Sequence, residues 1–183
     1  MATINSDSNS EDGNISDNET VDFNTRIDGE NKLVKTFTLL NTNARSLCPK
    51  MTSLIENMEE TESVLAIVTE TWLKDGDGLQ DDLDDLREGA GLEMLCRNRP
   101  VGERGVAHGG VAIVYNRDAV TMREVKIDSS DGFEILVGLG NIKGLSRKLL
   151  VIACYMPPNY TVRKGKDCLS YITDLVLQMK RML

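Results

Sequence analysis

The stretch VLAIVTETWL (residues 64–73) decides the fold, because it is an uninterrupted apolar run that ends on a carboxylate and the only tryptophan. A short run rich in Val and Ile and bounded by polar residues predicts a strand that is buried on both faces. Glu70 is therefore expected at the exit of a buried strand, at the rim of the sheet, where open α/β sheets bind ligands. It is either a surface residue that caps the next turn or a residue with a chemical role, and its position alone favours the first interpretation.

The residues before this strand predict a second strand and a helix. The segment TFTLLN (residues 36–41) alternates and then turns apolar, which predicts a strand that ends on Asn41. Pro49 suits the first turn of a helix, and apolar residues follow it at helical spacing. A strand, a helix and a strand in this order predict two parallel, adjacent strands, so we expect Asn41 and Glu70 to lie side by side at one rim. The apolar positions of the helix are Met51, Leu54, Ile55 and Met58.

The rest of the chain adds strands and one more helix to a mixed α/β domain. Tyr155 ends a strongly apolar strand just before two prolines, and it is the third polar side chain at a strand end. The segment GLGNIKG (residues 138–144) has the wrong glycine spacing for a dinucleotide loop, so we interpret it as a hairpin. Apolar residues at helical spacing predict a final helix from residue 166 onward. The predicted strands cover residues 92–96, 110–115, 120–127, 133–139 and 148–156, and the apolar positions of the final helix are Leu169, Ile172, Leu175, Val176, Met179 and Met182.

The composition predicts one folded domain with an acidic N-terminal tail. The chain has 183 residues, of which 40% are apolar, and this is enough for one globular core. Residues 1–32 carry eight acidic and two basic side chains, so they hold −6 of the net charge of −8. They have almost no periodic apolar pattern, which predicts a disordered tail. We therefore divide the chain into a tail at residues 1–32 and a nearly neutral domain at residues 33–183, whose charge neither requires nor excludes a polyanionic partner.

Several other kinds of site and compartment are not supported by the sequence. The four cysteines are spread singly, so we expect reduced thiols rather than zinc ligands or a disulfide framework. The DGDG sequence at residues 75–78 lacks the other ligand positions of an EF-hand, which argues against calcium. His108, the single histidine, is either an ordinary loop residue or a phosphate contact. The chain has no secretory signal and no apolar run of membrane-spanning length, so we expect an intracellular protein without a membrane partner.

Four short motifs in register resemble a known family. They are LNTNARSL (residues 40–47), TETWL (69–73), GGVAIVY (109–115) and YMPPN (155–159). In order and spacing they are similar to the endonuclease domain of non-LTR (LINE-type) retrotransposons, which belongs to the endonuclease/exonuclease/phosphatase superfamily. The resemblance extends from about residue 35 to the end of the chain and covers the N-terminal two-thirds of such a domain. It implies a partial four-layer α/β sandwich, two packed sheets flanked by helices, that lacks its C-terminal third.

The resemblance also implies roles for five residues around a divalent cation, Mg²⁺ or alternatively Mn²⁺. Glu70 matches the family's metal-binding glutamate, and Asn41 matches the asparagine beside it at the metal and the phosphate. Tyr155 matches the tyrosine that reaches the scissile phosphate, so Asn41, Glu70 and Tyr155 form the implied catalytic set. Asn159 falls where the family contacts DNA, and Arg45 is a phosphate or base contact. Mg²⁺ prefers oxygen ligands and keeps several waters, which agrees with one carboxylate and one amide on the protein side.

The activity implied by the resemblance is Mg²⁺-dependent hydrolysis of a phosphodiester bond in DNA. A reverse transcriptase is expected on the same full-length polypeptide, and a functional retroelement protein works in the nucleus and the cytoplasm. The family continues with Gly-Asp-Phe-Asn, a later Asp and a terminal Ser-Asp-His, which orient or deprotonate the attacking water and stabilise the pentavalent phosphate. These motifs do not occur in this sequence. We therefore expect an incomplete fragment of marginal solubility that does not cleave DNA at an appreciable rate.

Two alternatives stay open. The first is another phosphodiesterase of the same superfamily, such as a sphingomyelinase or an inositol-phosphate phosphatase, which share the asparagine and the glutamate. The strings ARSL (residues 44–47) and ETWL (residues 70–73) favour the retrotransposon branch. The second is a non-catalytic domain, derived from a retroelement, that binds nucleic acid or protein and uses the acidic tail as an interaction segment. Specific binding without turnover is the property that distinguishes this second alternative.

Overall fold

The structure of the chain, a computed structural model, describes residues 2–6, 18–24, 36–73, 89–98, 109–127, 133–157 and 162–180. These residues form a mixed α/β fold of two β-sheets and two α-helices, as predicted. The strands are β1 (Ala2–Ser6), β2 (Asn18–Asn24), β3 (Thr36–Asn43), β4 (Ser63–Thr69), β5 (Leu92–Arg97), β6 (Val111–Asn116), β7 (Val120–Glu124), β8 (Glu134–Ile142) and β9 (Lys148–Tyr155). The helices are α1 (Met51–Glu60), which follows a 3-10 turn at Cys48–Lys50, and α2 (Val162–Met179).

The predicted parallel pair of strands is confirmed. β3 pairs in parallel with β4, and α1 makes the connection between them. Pro49 lies in the 3-10 turn at the start of this connection. Leu54 and Met58 of α1 pack on the sheet against Ala66 and Val68 of β4, and this packing buries the apolar face of the helix.

The apolar run VLAIVT forms a strand near the middle of the first sheet, as the sequence predicts. The order of the first sheet is β1-β2-β3-β4-β6-β5, so β4 has neighbours on both sides. Leu65, Ala66 and Val68 are fully buried. Leu65 faces a core shared with the second sheet, whereas Ala66 and Val68 face the core under α1. The strand is therefore buried on both faces, which explains why its sequence is continuously apolar rather than alternating.

The second sheet, in the order β7-β8-β9, packs on the first sheet and carries α2 on its other face. Leu136 and Val151 of the second sheet share a core with Leu65 and Ile113 of the first sheet. Ile135 and Val137 of β8 point the other way, because side chains alternate along a strand, and they pack against α2. Helix, sheet, sheet and helix therefore follow one another through the described part of the molecule.

Two strands lie in the segment that we predicted to be a disordered tail. β2 pairs antiparallel with β3 along its whole length, from Asn18 opposite Thr42 to Asn24 opposite Thr36, and β1 pairs with β2. The edge of β3 offers a row of N–H and C=O groups to any strand that can pair with it. In this respect the structure differs from the prediction of disorder for residues 1–32, whereas the division into domains stays a prediction.

The helix α2 differs from its prediction in its start and in the face that it buries. It begins at Val162 rather than at residue 166. Leu169, which we predicted to face the core, is 65% exposed, and the neighbouring Cys168 is buried instead. Leu175 and Met179 are buried, as predicted. The apolar stripe of the helix is thus rotated by about one residue, or roughly 100°, at its N-terminal end.

Several smaller predictions can also be compared with the structure. β8 and β9 form an antiparallel hairpin, so the glycine-containing segment at residues 138–144 is a hairpin and not a dinucleotide loop. All four cysteines are free thiols. No helix among the described residues has the length and apolarity needed to cross a bilayer. The DGDG sequence at residues 75–78, His108 and Asn159 lie outside the described residues.

Candidate functional site

The carboxylate of Glu70 is the meeting point of three strand ends. Glu70 follows β4 directly, while Asn43 is the last residue of β3 and Tyr155 is the last residue of β9. The amide Nδ2 of Asn43 donates a hydrogen bond to Oε1 of Glu70 at 3.0 Å. The hydroxyl of Tyr155 donates a second one to the same oxygen at 2.9 Å. Two of the polar strand ends singled out in the sequence, Glu70 and Tyr155, are therefore in direct contact.

The two oxygens of Glu70 have different surroundings. Both hydrogen bonds go to Oε1, and no hydrogen bond from a described residue goes to Oε2. All three side chains are half-buried, so the site lies at the surface rather than in the core. The two donors fix the carboxylate in one orientation and leave Oε2 as the available acceptor. Such an oxygen can bind a hard cation or accept a hydrogen bond from a ligand.

The backbone around Glu70 takes a left-handed conformation that the neighbouring chain holds in place. Glu70 has φ +53° and Trp72 has φ +52°. Residues other than glycine rarely adopt this conformation, and it persists only where surrounding contacts enforce it. We call residues 70–73 the Glu70 strap. On one side Ser46 and Leu47 donate their N–H groups to the carbonyl oxygens of Glu70 and Thr71, both at 2.9 Å.

The other side of the Glu70 strap is bound by two consecutive glycines. Thr71 donates its N–H to the carbonyl of Gly110 at 3.3 Å, and Trp72 donates to the carbonyl of Gly109 at 2.8 Å. Gly109 and Gly110 have φ +100° and +88°, where a side chain is strained. A Cβ atom at Gly110 would collide with the hydroxyl of Thr71, which is 1% exposed. The motif GGVAIVY therefore requires glycine at both positions for their backbone conformation, and at Gly110 also for its close approach to the strap.

Arg45 lies in the loop that follows β3, next to the site. It is exposed and has φ +46°, and its backbone N–H donates to Oδ1 of Asn43 at 3.3 Å. In the same loop, Nζ of Lys50 donates to the carbonyl of Ala44 at 2.6 Å. Lys50 therefore anchors the loop, whereas the guanidinium group of Arg45 is in a place that solvent or a ligand can reach.

The structure separates the two asparagines of the LNTN sequence. Asn41, which we predicted to lie beside Glu70, is instead paired in register with Ile67, and Asn43 is paired with Thr69. Asn41 makes no hydrogen bond to Glu70 in the described part of the chain, because β3 runs two residues further than predicted. It lies on the same face of β3 as Asn43, about 7 Å away along the strand. Sequence reasoning missed Asn43, although its place two residues after Asn41 was a signal that both asparagines share a face.

The residues at this site fit a cation that keeps most of its water. No group of three or more His, Cys, Asp or Glu that could hold a metal ion occurs among the described residues. Mg²⁺ binds through one or two carboxylates and retains several waters, and for this ion the Glu70 carboxylate and the amide oxygen of Asn43 are suitable ligands.

The residue before Tyr155 is a thiol of low reactivity. The Sγ atom of Cys154 lies 3.6 Å from that of Cys168 on α2. Burial, together with the contact with Cys168, raises the pKa of Cys154 to about 12. Because the thiolate is the nucleophilic form, Cys154 is not a nucleophile at neutral pH. Among the described residues at the site, Glu70, Asn43 and Tyr155 are therefore the side chains in direct polar contact with one another.

Comparison with known proteins adds no family to this geometry, since the chain matches neither a family model nor a curated protein.

Proposed function

We propose that the Glu70 site binds a divalent cation and a phosphodiester, as part of a Mg²⁺-dependent endonuclease of the kind found in non-LTR retrotransposons. The observation that carries the proposal is the convergence of Asn43 and Tyr155 on one oxygen of Glu70, because three groups from three strand ends meet there. A carboxylate fixed in this way at the rim of a sheet is typical of a functional site.

Each of the three side chains has a role that follows from its chemistry. Glu70 offers Oε2 to the cation, and Asn43 keeps the carboxylate in place and offers its amide oxygen. Tyr155 holds the same carboxylate through its hydroxyl, whose single O–H proton can be donated to a phosphate oxygen instead when a ligand is bound. When bound, Mg²⁺ would neutralise the charge that develops on a phosphodiester during in-line attack.

The architecture and the motifs support the endonuclease/exonuclease/phosphatase type within this proposal. Helix, sheet, sheet and helix follow one another, which agrees with a four-layer α/β sandwich. The motifs ARSL and ETWL form the two hydrogen-bonded segments at the site, where Ser46 and Leu47 bind the Glu70 strap. The exposed Arg45 beside Asn43 supports DNA as the substrate, because a guanidinium group binds phosphate or a base edge.

The described side chains do not make up a complete hydrolytic site. Asparagine and tyrosine are not bases at neutral pH, and Glu70 serves as the ligand, so no described group around it is left to deprotonate a water. The family motifs that are missing from the sequence imply the same, and we expect binding of cation and DNA with no appreciable cleavage by this chain.

The proposal is tested by titrating the purified 183-residue chain with Mn²⁺, with Mg²⁺ as the competitor. We expect one Mn²⁺ site from which Mg²⁺ displaces the metal. Glu70→Gln should lower the affinity by about 100-fold, since losing even a residue behind a ligand costs 10- to 100-fold. Glu93→Gln is the control, because Glu93 is also half-buried and accepts a tyrosine hydroxyl. Equal Mn²⁺ affinities of wild type and Glu70→Gln would contradict the proposal.

A second experiment addresses the substrate and the missing base. Binding of a DNA duplex, a sphingomyelin vesicle and inositol hexakisphosphate is compared with and without Mg²⁺. We expect Mg²⁺-dependent binding of DNA alone, and preference for either of the other two ligands would favour the other phosphodiesterases. Supercoiled plasmid is then incubated with the chain and Mg²⁺. Nicking that disappears in Glu70→Gln would show a complete active site and overturn the expectation of binding without turnover.

A further inference from the structure

Glu134 is the first residue of β8, and its carboxylate lies directly on the Gly109–Gly110 turn. Its Oε2 accepts a short hydrogen bond from the N–H group of Gly110. A Cβ atom at Gly109 would lie 2.5 Å from Oε1 of the same carboxylate. Both carboxylate oxygens therefore lie against the turn. The absence of a side chain at Gly109 is what allows Glu134 to come this close.

The same two glycines are hydrogen-bonded to the Glu70 strap. The carbonyls of Gly109 and Gly110 accept the N–H groups of Trp72 and Thr71, the two residues that follow Glu70. A carboxylate that holds the N–H of Gly110 also fixes the direction of the Gly109 carbonyl, because the two groups belong to one planar peptide unit. The Gly110 carbonyl belongs to the next peptide unit and is restrained less directly, through the Cα atom that the two units share. The hydrogen bonds thus run without a break from Glu134 through the glycines to the backbone next to Glu70.

The second sheet holds the Glu70 strap at two points. Glu134 and Tyr155 are directly opposite each other in the antiparallel register of β8 and β9. Tyr155 reaches the carboxylate of Glu70 from its side chain, whereas Glu134 reaches the backbone of the strap through the glycine turn. A left-handed residue such as Glu70 keeps its conformation only where several contacts enforce it, and this pair supplies contacts from outside the first sheet.

We propose that Glu134 is a positioning residue, which fixes the direction of the Glu70 carboxylate through the Gly109–Gly110 turn. The importance of this direction for cation binding rests on the proposed function. The contact between Glu134 and the strap does not, so the two can be tested separately.

The first measurement is amide hydrogen exchange in the full chain without metal. Glu134→Ala should raise the exchange rate of the Trp72 amide by about tenfold or more and that of the Thr71 amide by a smaller factor, because the acceptor of Trp72 lies in the peptide unit that Glu134 holds. The amides of Ala44 and Leu47 bind Thr69 and Thr71 on the other side of the strap and should keep their rates. Glu134→Gln retains an oxygen that can accept from Gly110, so it should restore the wild-type rates.

The second measurement is Mn²⁺ affinity, which Glu134→Ala should lower by about tenfold and Glu134→Gln should restore. The matched control is Glu93→Ala, which removes a half-buried carboxylate with a hydrogen-bonded tyrosine elsewhere in the molecule and should change neither readout. If the wild type has no Glu70-dependent Mn²⁺ site, the proposed function fails, and the exchange rates alone decide the role of Glu134.

Two results would overturn the role of Glu134. One is unchanged exchange at Thr71 and Trp72 in Glu134→Ala. The other is an equal rise at all amides, which would indicate a general contribution to stability. Should Glu134→Ala fail to fold, Glu134→Asp decides between the same outcomes. It keeps the charge and withdraws the acceptor by one methylene group, and we expect the same selective rise at Thr71 and Trp72.

Discussion

The molecule contains two pairs of a glutamate and a tyrosine that look alike chemically but differ in construction. The hydroxyl of Tyr155 donates to Glu70 at 2.9 Å, and the hydroxyl of Tyr115 donates to Glu93 at 2.7 Å. Glu93 and Tyr115 are register partners on the neighbouring strands β5 and β6. Tyr115 pairs with Leu65 at the start of β4, so this second pair lies at the opposite end of the strand from Glu70.

The difference teaches which features separate a candidate site from a structural contact. The Glu93 pair needs only the sheet register, because opposed side chains on adjacent strands meet without further help. The Glu70 pair joins two sheets, and it adds a second donor, Asn43, and a left-handed backbone. Strained backbone maintained by several contacts is frequent at functional sites and has no purpose in a simple cross-strand pair. The following predictions test this contrast.

The largest expected effect is a loss of stability when a glycine near the Glu70 pair, rather than one near the Glu93 pair, is replaced by alanine. Gly110→Ala should lower the free energy of unfolding by about 3 kcal/mol or more, because its φ is +88° and its Cβ atom would collide with the hydroxyl of Thr71. Gly91, next to β5, has φ +64° and open space around it, so Gly91→Ala should cost only about 1 kcal/mol. Urea denaturation of both variants measures the difference. Similar losses would show that the Glu70 strap is not packed more tightly than the turn near Glu93.

The next prediction concerns the two tyrosines: replacing Tyr155 should change Mn²⁺ affinity, whereas replacing Tyr115 should change the stability of the fold. Tyr155→Phe should lower Mn²⁺ affinity by about tenfold, because the carboxylate loses one of the donors that fix it. Tyr115→Phe should leave the affinity unchanged and lower the free energy of unfolding by about 1 kcal/mol, since Tyr115 is 4% exposed and its hydrogen bond is lost. Calorimetric titration and urea denaturation of both variants give the four values. A loss of Mn²⁺ affinity in Tyr115→Phe would remove the distinction between the pairs.

An effect of similar size distinguishes the two asparagines of β3. Asn43→Ala should lower Mn²⁺ affinity by about tenfold, because it removes the hydrogen bond to Oε1 of Glu70 and the amide oxygen that is offered to the cation. Asn41→Ala, one pleat away on the same face, should lower it less. Both values come from the same Mn²⁺ titration. The reverse order of effects would return the role of metal ligand to Asn41, as the family resemblance implies.

The last expected effect is a pH dependence at the Tyr155 end of β9, and it is confined to alkaline solution. The thiol of Cys154 ionises near pH 9.0 in the unfolded chain, whereas burial raises its pKa in the folded chain to about 12. Between these values only the unfolded state loses the proton, so stability should fall as the pH rises from 9 toward 12. Cys154→Ala should fall less steeply over the same range in urea denaturation. Parallel curves would show that the thiol ionises alike in both states.

The sequence predicts those parts of the fold that depend on local patterns. The apolar run of β4, the helical spacing in α1 and the order of the two strands were sufficient to predict the parallel pair and the position of Glu70 at its rim. The placement of Asn41 was wrong by one pleat because the length of β3 depends on pairing with β4 and not on its own residues. Strand β2 was missed because its pairing with β3 is a tertiary contact.

Glu134 was not recognised from the sequence for a similar reason. It begins an ordinary apolar strand, and its partner Gly110 is 24 residues away in the chain. Nothing in the residues around it indicates that its carboxylate faces a glycine turn. Such a contact follows only from the packing of one sheet on the other, which sequence periodicity does not specify.

Glu70 and Tyr155 are far apart in the sequence, and their hydrogen bond therefore has a consequence for the order of folding. The unit of β3, α1 and β4 is local, whereas this bond closes a separation of 85 residues. Loop-closure entropy and contact order favour early formation of the local unit and late arrival of Tyr155. Trp72, the only tryptophan, lies in the Glu70 strap, so its fluorescence should change before the capacity to bind Mn²⁺ appears in refolding. Simultaneous phases would contradict this order. A cation that binds more tightly when Tyr155 holds Glu70 binds preferentially to chains whose second sheet is in place, and it therefore stabilises the finished fold over its partly folded precursors.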